Sequence, residues 1–180
     1  MMHWKVGVIG SASVLLAMFS IGLLYEGFIS DHYSGLFTYL FIDKPAAERA
    51  YNRLSRQASI AERKAAAERL IRADPTNAHS WLTVSYADWL ANRRLSPAGV
   101  AALDHSYAVN ALNPDVGTWR VGFALENWAD LTPQLRHDVV NEARFELKDP
   151  YYLSGPMRAR LKTIASPEGH LAATLLLTEP

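Results

Sequence analysis

Residues 69–82, RLIRADPTNAHSWL, place an Asp-Pro pair between a stretch rich in arginine and leucine and an apolar run led by tryptophan. The residue before a proline is disfavoured in the α region, so we expect a helix to end near Asp74. Thr76 or Asn77 can then cap the helix that contains Trp81, because both side chains carry an oxygen that accepts from a backbone N–H. The stretch therefore predicts a turn between two helices.

This turn recurs along the chain. Asn113-Pro114 and Asp149-Pro150 repeat it, with the prolines spaced 39 and then 36 residues apart. A second series alternates with the first, and each member resembles a hydroxyl N-cap followed by proline at the first helical position: Ser96-Pro97, Thr132-Pro133 and Ser166-Pro167. Upstream, Ser59 and Glu62 have the spacing of a capping box. Together the two series predict four units of two helices each, beginning near residues 43, 75, 114 and 150.

Apolar residues inside these units follow the period of a helix. Trp81, Leu82 and Trp89 share one helical face, and Leu135 and Val139 belong to another. No run of β-branched or aromatic residues alternates with polar ones over a useful length, so strands are not expected. Helical hairpins at this interval indicate an all-α solenoid, in which each unit buries its apolar face against its neighbours. A non-repetitive helical bundle is the alternative.

The stretch DPTNAHSWL (residues 74–82) resembles the proline turn and Trp-led helix of the tetratricopeptide-like (TPR-like) repeat family. The resemblance covers residues 43–180 at the level of pattern. It departs where the family's Gly-x-x-Tyr is replaced by Ser85-x-x-Asp88, and where Ser154-Gly155-Pro156 interrupts the first helix of the fourth unit. The resemblance implies a solenoid of helical hairpins that serves as a binding platform for proteins.

The N-terminus contains a charge-free run of 19 residues, VGVIGSASVLLAMFSIGLL (residues 6–24), which is long enough to cross a bilayer as a helix. A cleaved signal peptide is the alternative, but no small-x-small site follows Leu24. The predicted organisation is a transmembrane anchor (1–30), an apolar juxtamembrane segment (31–42) and a TPR-like domain (43–180). The nearest flanking charges, Lys5 and Glu26, favour a single-pass inner-membrane protein with a periplasmic domain.

Charge and composition restrict the chemistry of the chain and the classes of partner expected for it. Lys and Arg number 18, as do Asp and Glu, and cysteine is absent, which excludes disulfides and thiolate chemistry. Residues 45–73 are basic, but Glu48, Glu62 and Glu68 dilute the positive charge, so we interpret this stretch as solvated helices near a membrane. No nucleic acid is expected as a partner.

No recognisable catalytic or cofactor motif occurs in the sequence, and no histidine has a second histidine or an acid three or four residues further on. Asp138, Glu142 and Glu146 recur every four residues, with Arg144 and Lys148 beside them. We expect this pattern to form the charged solvent face of an amphipathic helix. The sequence therefore predicts neither an enzyme nor any catalytic, cofactor or metal site.

A binding surface is the remaining candidate. In the family that the chain resembles, the first helix of each unit lines the concave face. Counting from the Trp-led positions places six residues on or near that face: His79, Tyr86 and Trp89 from one unit, and Arg120, Asn127 and Trp128 from the next. Aromatics with Arg and Asn are residue types that anchor peptide or carboxylate ligands. The alternative is that the tryptophans are core residues.

These features predict a membrane-anchored scaffold or adaptor that mediates protein–protein interactions in a bacterial envelope process such as polysaccharide assembly or export. A different interpretation is a small accessory subunit of an inner-membrane complex, packed through the small residues Gly10, Ser11 and Ser13. A third is an enzyme with an unrecognised site.

Overall fold

The computed structural model describes residues 43–54 and 58–179, and the chain divides into two compact units between Arg53 and Leu54. The predicted membrane anchor (1–30) and juxtamembrane segment (31–42) lie outside the described residues. Across the described ranges, no helix combines the length and the apolar character that crossing a membrane requires.

These described residues form eight α-helices and no β-strand, which confirms the all-α prediction for this part of the chain. The first unit contains α1, which spans Asp43–Asn52. The second unit contains α2 (Ile60–Ala73), α3 (Ala78–Asn92), α4 (Pro97–Val109), α5 (Gly117–Glu126), α6 (Pro133–Leu147), α7 (Ser154–Leu161) and α8 (Pro167–Thr178). A short 3₁₀ helix, Trp128–Asp130, lies between α5 and α6.

At most of the predicted helix starts, a side chain caps the helix. Four helices begin at a residue whose side-chain oxygen accepts a backbone N–H three positions further on: Ser59 for α2, Asn77 for α3, Ser96 for α4 and Thr132 for α6. The Ser59–Glu62 capping box is complete, because Glu62 Oε2 also accepts the Ser59 backbone N–H at 2.7 Å. Ser166 at α8 differs, since its hydroxyl donates to the Leu125 carbonyl at 2.7 Å. The local capping signals therefore locate where helices restart.

The start of α7 corrects one expectation. Ser154-Gly155-Pro156 does not interrupt a helix; α7 begins at Ser154 and runs to Leu161. Pro156 lies in the first helical turn, where its nitrogen would have no intrahelical partner in any case. Upstream, Asp149 Oδ1 accepts the backbone N–H groups of the three residues at 151–153, at 3.0, 2.8 and 3.0 Å. These bonds lower the pKa of Asp149.

Helices in the second unit pack mainly on their neighbours in sequence. α3 packs on α2 and α4, α5 packs on α6, and α7 packs on both α5 and α6. The last helix, α8, contacts α5 and α7. The buried core is built largely from leucines and small residues of α4 to α8, among them Leu103, Leu125, Leu135, Val139, Ala143, Met157 and Leu161.

Carboxylates from two earlier helices hold the starts of later ones. Asp88 on α3 accepts the Ser96 backbone N–H at 2.8 Å, and Glu126 on α5 accepts the Ser166 backbone N–H at 3.0 Å. The contact between α5 and α8 is close, because a Cβ at Gly169 would overlap the Leu125 carbonyl. These contacts hold the start of α4 to α3 and the start of α8 to the C-terminal end of α5.

Candidate interaction groove

A groove of about 250 Å³ opens between α3 and the turn that leads into α5. We call it the α3–α5 groove. Its lining residues are mostly apolar or aromatic: His79, Leu82, Thr83 and Tyr86 from α3, and Asp115, Val116 and Trp119 from the second wall. Leu82 and Thr83 lie three and four residues after His79, and Tyr86 lies three residues after Thr83, so these residues share one helical face. The groove is thus formed by the first helices of two consecutive hairpins.

An aromatic cluster forms one side of the groove. Trp119 stacks on Phe123 with ring centroids 5.1 Å apart, and Tyr86 meets the Trp119 ring edge-on at 5.4 Å. Trp89 stacks beside Tyr86 at 5.8 Å and completes the cluster. Trp119 is 45 % exposed although its neighbour Phe123 is buried. The cluster therefore presents a rigid, solvent-accessible indole on a packed base.

The groove lining contains one imidazole and one carboxyl group, those of His79 and Asp115. His79 is exposed, and partial desolvation lowers the pKa of its imidazole. Asp115 is exposed, and no cationic side chain of the described residues forms a salt bridge with its carboxylate. The Asn113 side chain accepts the Asp115 backbone N–H at 3.0 Å and holds this turn. Asp115 is thus the acidic residue among the described residues of the lining.

The structure brings together only some of the six residues predicted from the sequence. His79 and Tyr86 line the groove, and Trp89 lies in the aromatic cluster. Trp128 is half-buried away from the lining, with the Arg136 guanidinium 5.5 Å from the centroid of its ring. Asn127 is buried, and its side-chain amide donates to the Phe123 carbonyl at 2.8 Å.

Arg120 requires a correction, because it is completely buried rather than on a surface. Its guanidinium donates to the carbonyls of Ser106 at 2.8 Å, Asn110 at 2.9 Å and Ala111 at 3.0 Å, and it forms an ion pair with Glu142. One position on a helix corresponds to a rotation of about 100°, so Trp119 faces the groove where Arg120 was expected. The sequence reasoning missed Trp119, Asp115 and Val116; a one-residue shift of register along α5 would have found the indole.

The Arg120–Glu142 pair is the centre of a buried polar network. The Arg120 guanidinium carbon lies 4.0 Å from the centroid of the Tyr107 ring. Burial, and then the charge of Glu142, raise the pKa of Tyr107 well above its ordinary value. Because Arg120 satisfies carbonyls at the end of α4 while anchored on α5 and paired with α6, the network ties three helices together.

Glu146 adds a second buried carboxyl to the network, so the predicted charged solvent face of α6 is wrong for Glu142 and Glu146. Thr118 donates its hydroxyl to Glu146 Oε2 at 2.6 Å, whereas no described residue hydrogen-bonds to Oε1. Burial is the main cause that raises the pKa of Glu146, and the nearby Glu142 carboxylate adds to it. Thr118 sits beside Trp119, so this bond also holds the groove wall.

Metal ligands are not gathered in this region. Among the described residues, no three or more His, Cys, Asp or Glu side chains are grouped so that they could hold a metal ion. The described lining of the groove offers aromatic rings, apolar side chains and one carboxylate. Comparisons with protein-family models, curated proteins and solved structures found no match for this chain.

Proposed function

We propose that this protein is a membrane-anchored TPR-like adaptor whose α3–α5 groove binds a protein partner in a bacterial envelope process, with a binding rather than a catalytic role. The observation that carries the proposal is the groove itself: Trp119 is 45 % exposed at a cleft of about 250 Å³ formed by consecutive hairpins. Tryptophan and tyrosine are the side chains most enriched where protein partners anchor.

The anchored, repeat-based part of the proposal has separate support. The proline joints recur at a repeat-like interval, and the helices pack mainly on their sequence neighbours. The charge-free run at residues 6–24 supports a single-pass anchor, and the flanking charges support a periplasmic domain. An anchored domain with a lateral groove suits the recruitment of one envelope protein to another.

Site-specific photo-crosslinking tests the groove. A benzophenone amino acid replaces Trp119 in the full chain, expressed in its membrane, and a second variant carries it at Tyr151, which is 85 % exposed and outside the groove lining. We expect one discrete heteromeric product from position 119 and none from position 151. Equal labelling from both positions, or no product from 119, would contradict the adaptor role.

Topology is tested with a reporter fused after Pro180. A periplasmic domain predicts activity of a reporter that functions only outside the cytoplasm, such as alkaline phosphatase. Activity of a reporter that functions only inside would overturn the proposed localisation without affecting the groove.

An accessory subunit of an inner-membrane complex is a second candidate function. It is favoured by the outer surface of α8, where Leu171 is 64 % and Leu175 is 59 % exposed, a spacing that places both on one helical face. The same crosslinker placed at Leu175 distinguishes the two functions. A product from position 175 together with none from 119 would favour the subunit.

A further inference from the structure

The charge of the α3–α5 groove is opposite to what a carboxylate-binding platform needs. The sequence suggested Arg120 and Asn127 as ligands for a peptide or carboxylate, but both are buried and hydrogen-bonded inside the fold. Among the described residues that line the groove, none is Lys or Arg. An anion entering it would lose hydration without meeting a compensating cation.

A cation meets favourable groups in the same place. The Asp115 carboxylate lies in the lining with no described cation paired to it, and Arg120, the arginine of the adjoining α5, is neutralised by Glu142. Residues 101–130 contain one arginine against four acids, so the surrounding stretch is acidic as well. Electrostatic complementarity of this kind selects the sign of the charge that a partner brings.

The aromatic cluster adds a second attraction for a cation. The faces of Trp and Tyr rings carry negative quadrupole potential and attract ammonium and guanidinium groups. Tyr86 and Trp119 both line the groove, and their edge-to-face packing fixes the rings in place. Leu82 and Val116 supply apolar surface beside them. Lys and Arg side chains match this combination, because an aliphatic stem carries the charged head.

We propose that the α3–α5 groove binds a lysine or arginine side chain presented by an apolar segment of a partner protein, with its stem against Leu82 and Val116 and its charge between Asp115 and the Trp119 ring. The proposal rests on the adaptor function above and specifies the chemistry of the partner.

The test uses three soluble tripeptides, acetyl-Leu-X-Leu-amide with X as lysine, norleucine or glutamate, titrated onto the full chain in lipid nanodiscs. The indole N–H resonance of Trp119, assigned by its loss in Trp119→Phe, reports binding at the groove. We expect the lysine peptide to bind roughly threefold to tenfold more tightly than the norleucine peptide at low salt. The glutamate peptide should bind more weakly than both, and high salt should reduce the preference for lysine.

Asp115→Asn is the decisive variant. It should remove most of the preference for lysine over norleucine, because the carboxylate that attracts the ammonium group is lost. Asp104→Asn is the matched control, since Asp104 is exposed in the same acidic stretch but outside the lining, and it should keep the preference. Unchanged Trp119 resonances with all three peptides would overturn the proposed cation site, whereas the adaptor role is contradicted only if position 119 also gives no crosslinked product. Equal binding of all three, or a preference that survives Asp115→Asn, would overturn the cation site alone.

Discussion

The joints at Asp74-Pro75 and Asn113-Pro114 share a sequence signature but are held by different forces. At the first joint the bonds between described residues are local, and they are exposed or only partly buried. Asp74 Oδ1 accepts the Thr76 hydroxyl at 2.6 Å, Asn77 caps α3 through Ser80, and the Trp81 indole donates to the Pro75 carbonyl at 2.8 Å. Nothing in this set spans more than six residues.

At the second joint, long-range buried bonds are added to the local turn. Arg120 reaches back to the carbonyls of Asn110 and Ala111 in the turn and forward to Glu142 on α6. The Glu142 carboxylate is 22 residues away from its partner in sequence. The same proline-containing turn therefore precedes a new helix at both joints. The stability of each joint depends instead on the tertiary contacts around it.

Replacing the central cation should produce the largest difference between the joints. Arg120→Met leaves Glu142 buried without its cationic partner and removes the guanidinium bonds to three carbonyls, so we expect a loss of about 3–5 kcal/mol in the free energy of unfolding. Urea unfolding followed by circular dichroism measures it.

The double variant Arg120→Met/Glu142→Met serves as its control. It removes the stranded charge and should therefore be more stable than Arg120→Met alone. If the double variant is less stable than Arg120→Met, loss of the ion pair, and not the unpaired carboxylate, causes most of the destabilisation.

A methyl group at Gly117 should have the next largest effect. Its Cβ would overlap Glu146 Oε1, so the carboxyl must rotate away from Thr118 while remaining buried. We expect Gly117→Ala to cost about 1–3 kcal/mol. Gly155→Ala is the matched control, because a Cβ at Gly155 in α7 meets no atom within 4 Å and alanine favours the helix. Loss of stability only in Gly155→Ala would reverse the comparison.

The sequence was informative wherever the determining contact was local. Caps at Ser59, Ser96 and Thr132 are confirmed because the donor N–H lies three residues from the acceptor, so the pattern contains the whole interaction. The all-α class follows from the same periodic signals. Neither inference needs knowledge of which helices touch.

The candidate site was only half predictable because its polarity depends on tertiary contacts. Carboxylates every four residues look alike whether they face water or a buried guanidinium, so Glu142 and Glu146 were assigned to solvent. Likewise, the sequence pattern of α5 is compatible with burial of either of the adjacent residues Trp119 and Arg120. Only the position of Glu142 on another helix decides which of the two turns inward.

Removing the first joint's cap should have a smaller effect than either change at the second. Asn77→Ala loses the hydrogen bond that the Asn77 side chain accepts from the Ser80 backbone N–H. Replacing an N-cap residue by alanine typically lowers the free energy of unfolding by about 1 kcal/mol. Thermal unfolding of Asn77→Ala and of Arg120→Met compares the loss of stability at the two joints. The losses should be nearly additive in the variant that carries both substitutions, since the described residues show no bond shared by the two sites. A loss at Asn77 equal to that at Arg120 would remove the distinction between local and buried joints.

The smallest change near neutral pH is expected for Glu146→Gln, because glutamine retains the size and can retain the bond to Thr118. Its value lies in the pH dependence. Burial raises the folded-state pKa of Glu146 above its ordinary value, so its stabilising contribution is present below the ordinary value and is lost as pH rises through the folded pKa. The stability of Glu146→Gln relative to the wild type should therefore increase as pH rises above the ordinary pKa of a glutamate side chain. Glu179→Gln provides the opposite sign: Arg144 lowers the pKa of Glu179, so that variant should lose relative stability as pH rises from acid. If relative stability instead changes with pH in the same direction in both variants, burial beside Glu142 does not determine the pKa of Glu146. The contact between Glu146 and the start of α5 would then contribute through packing alone.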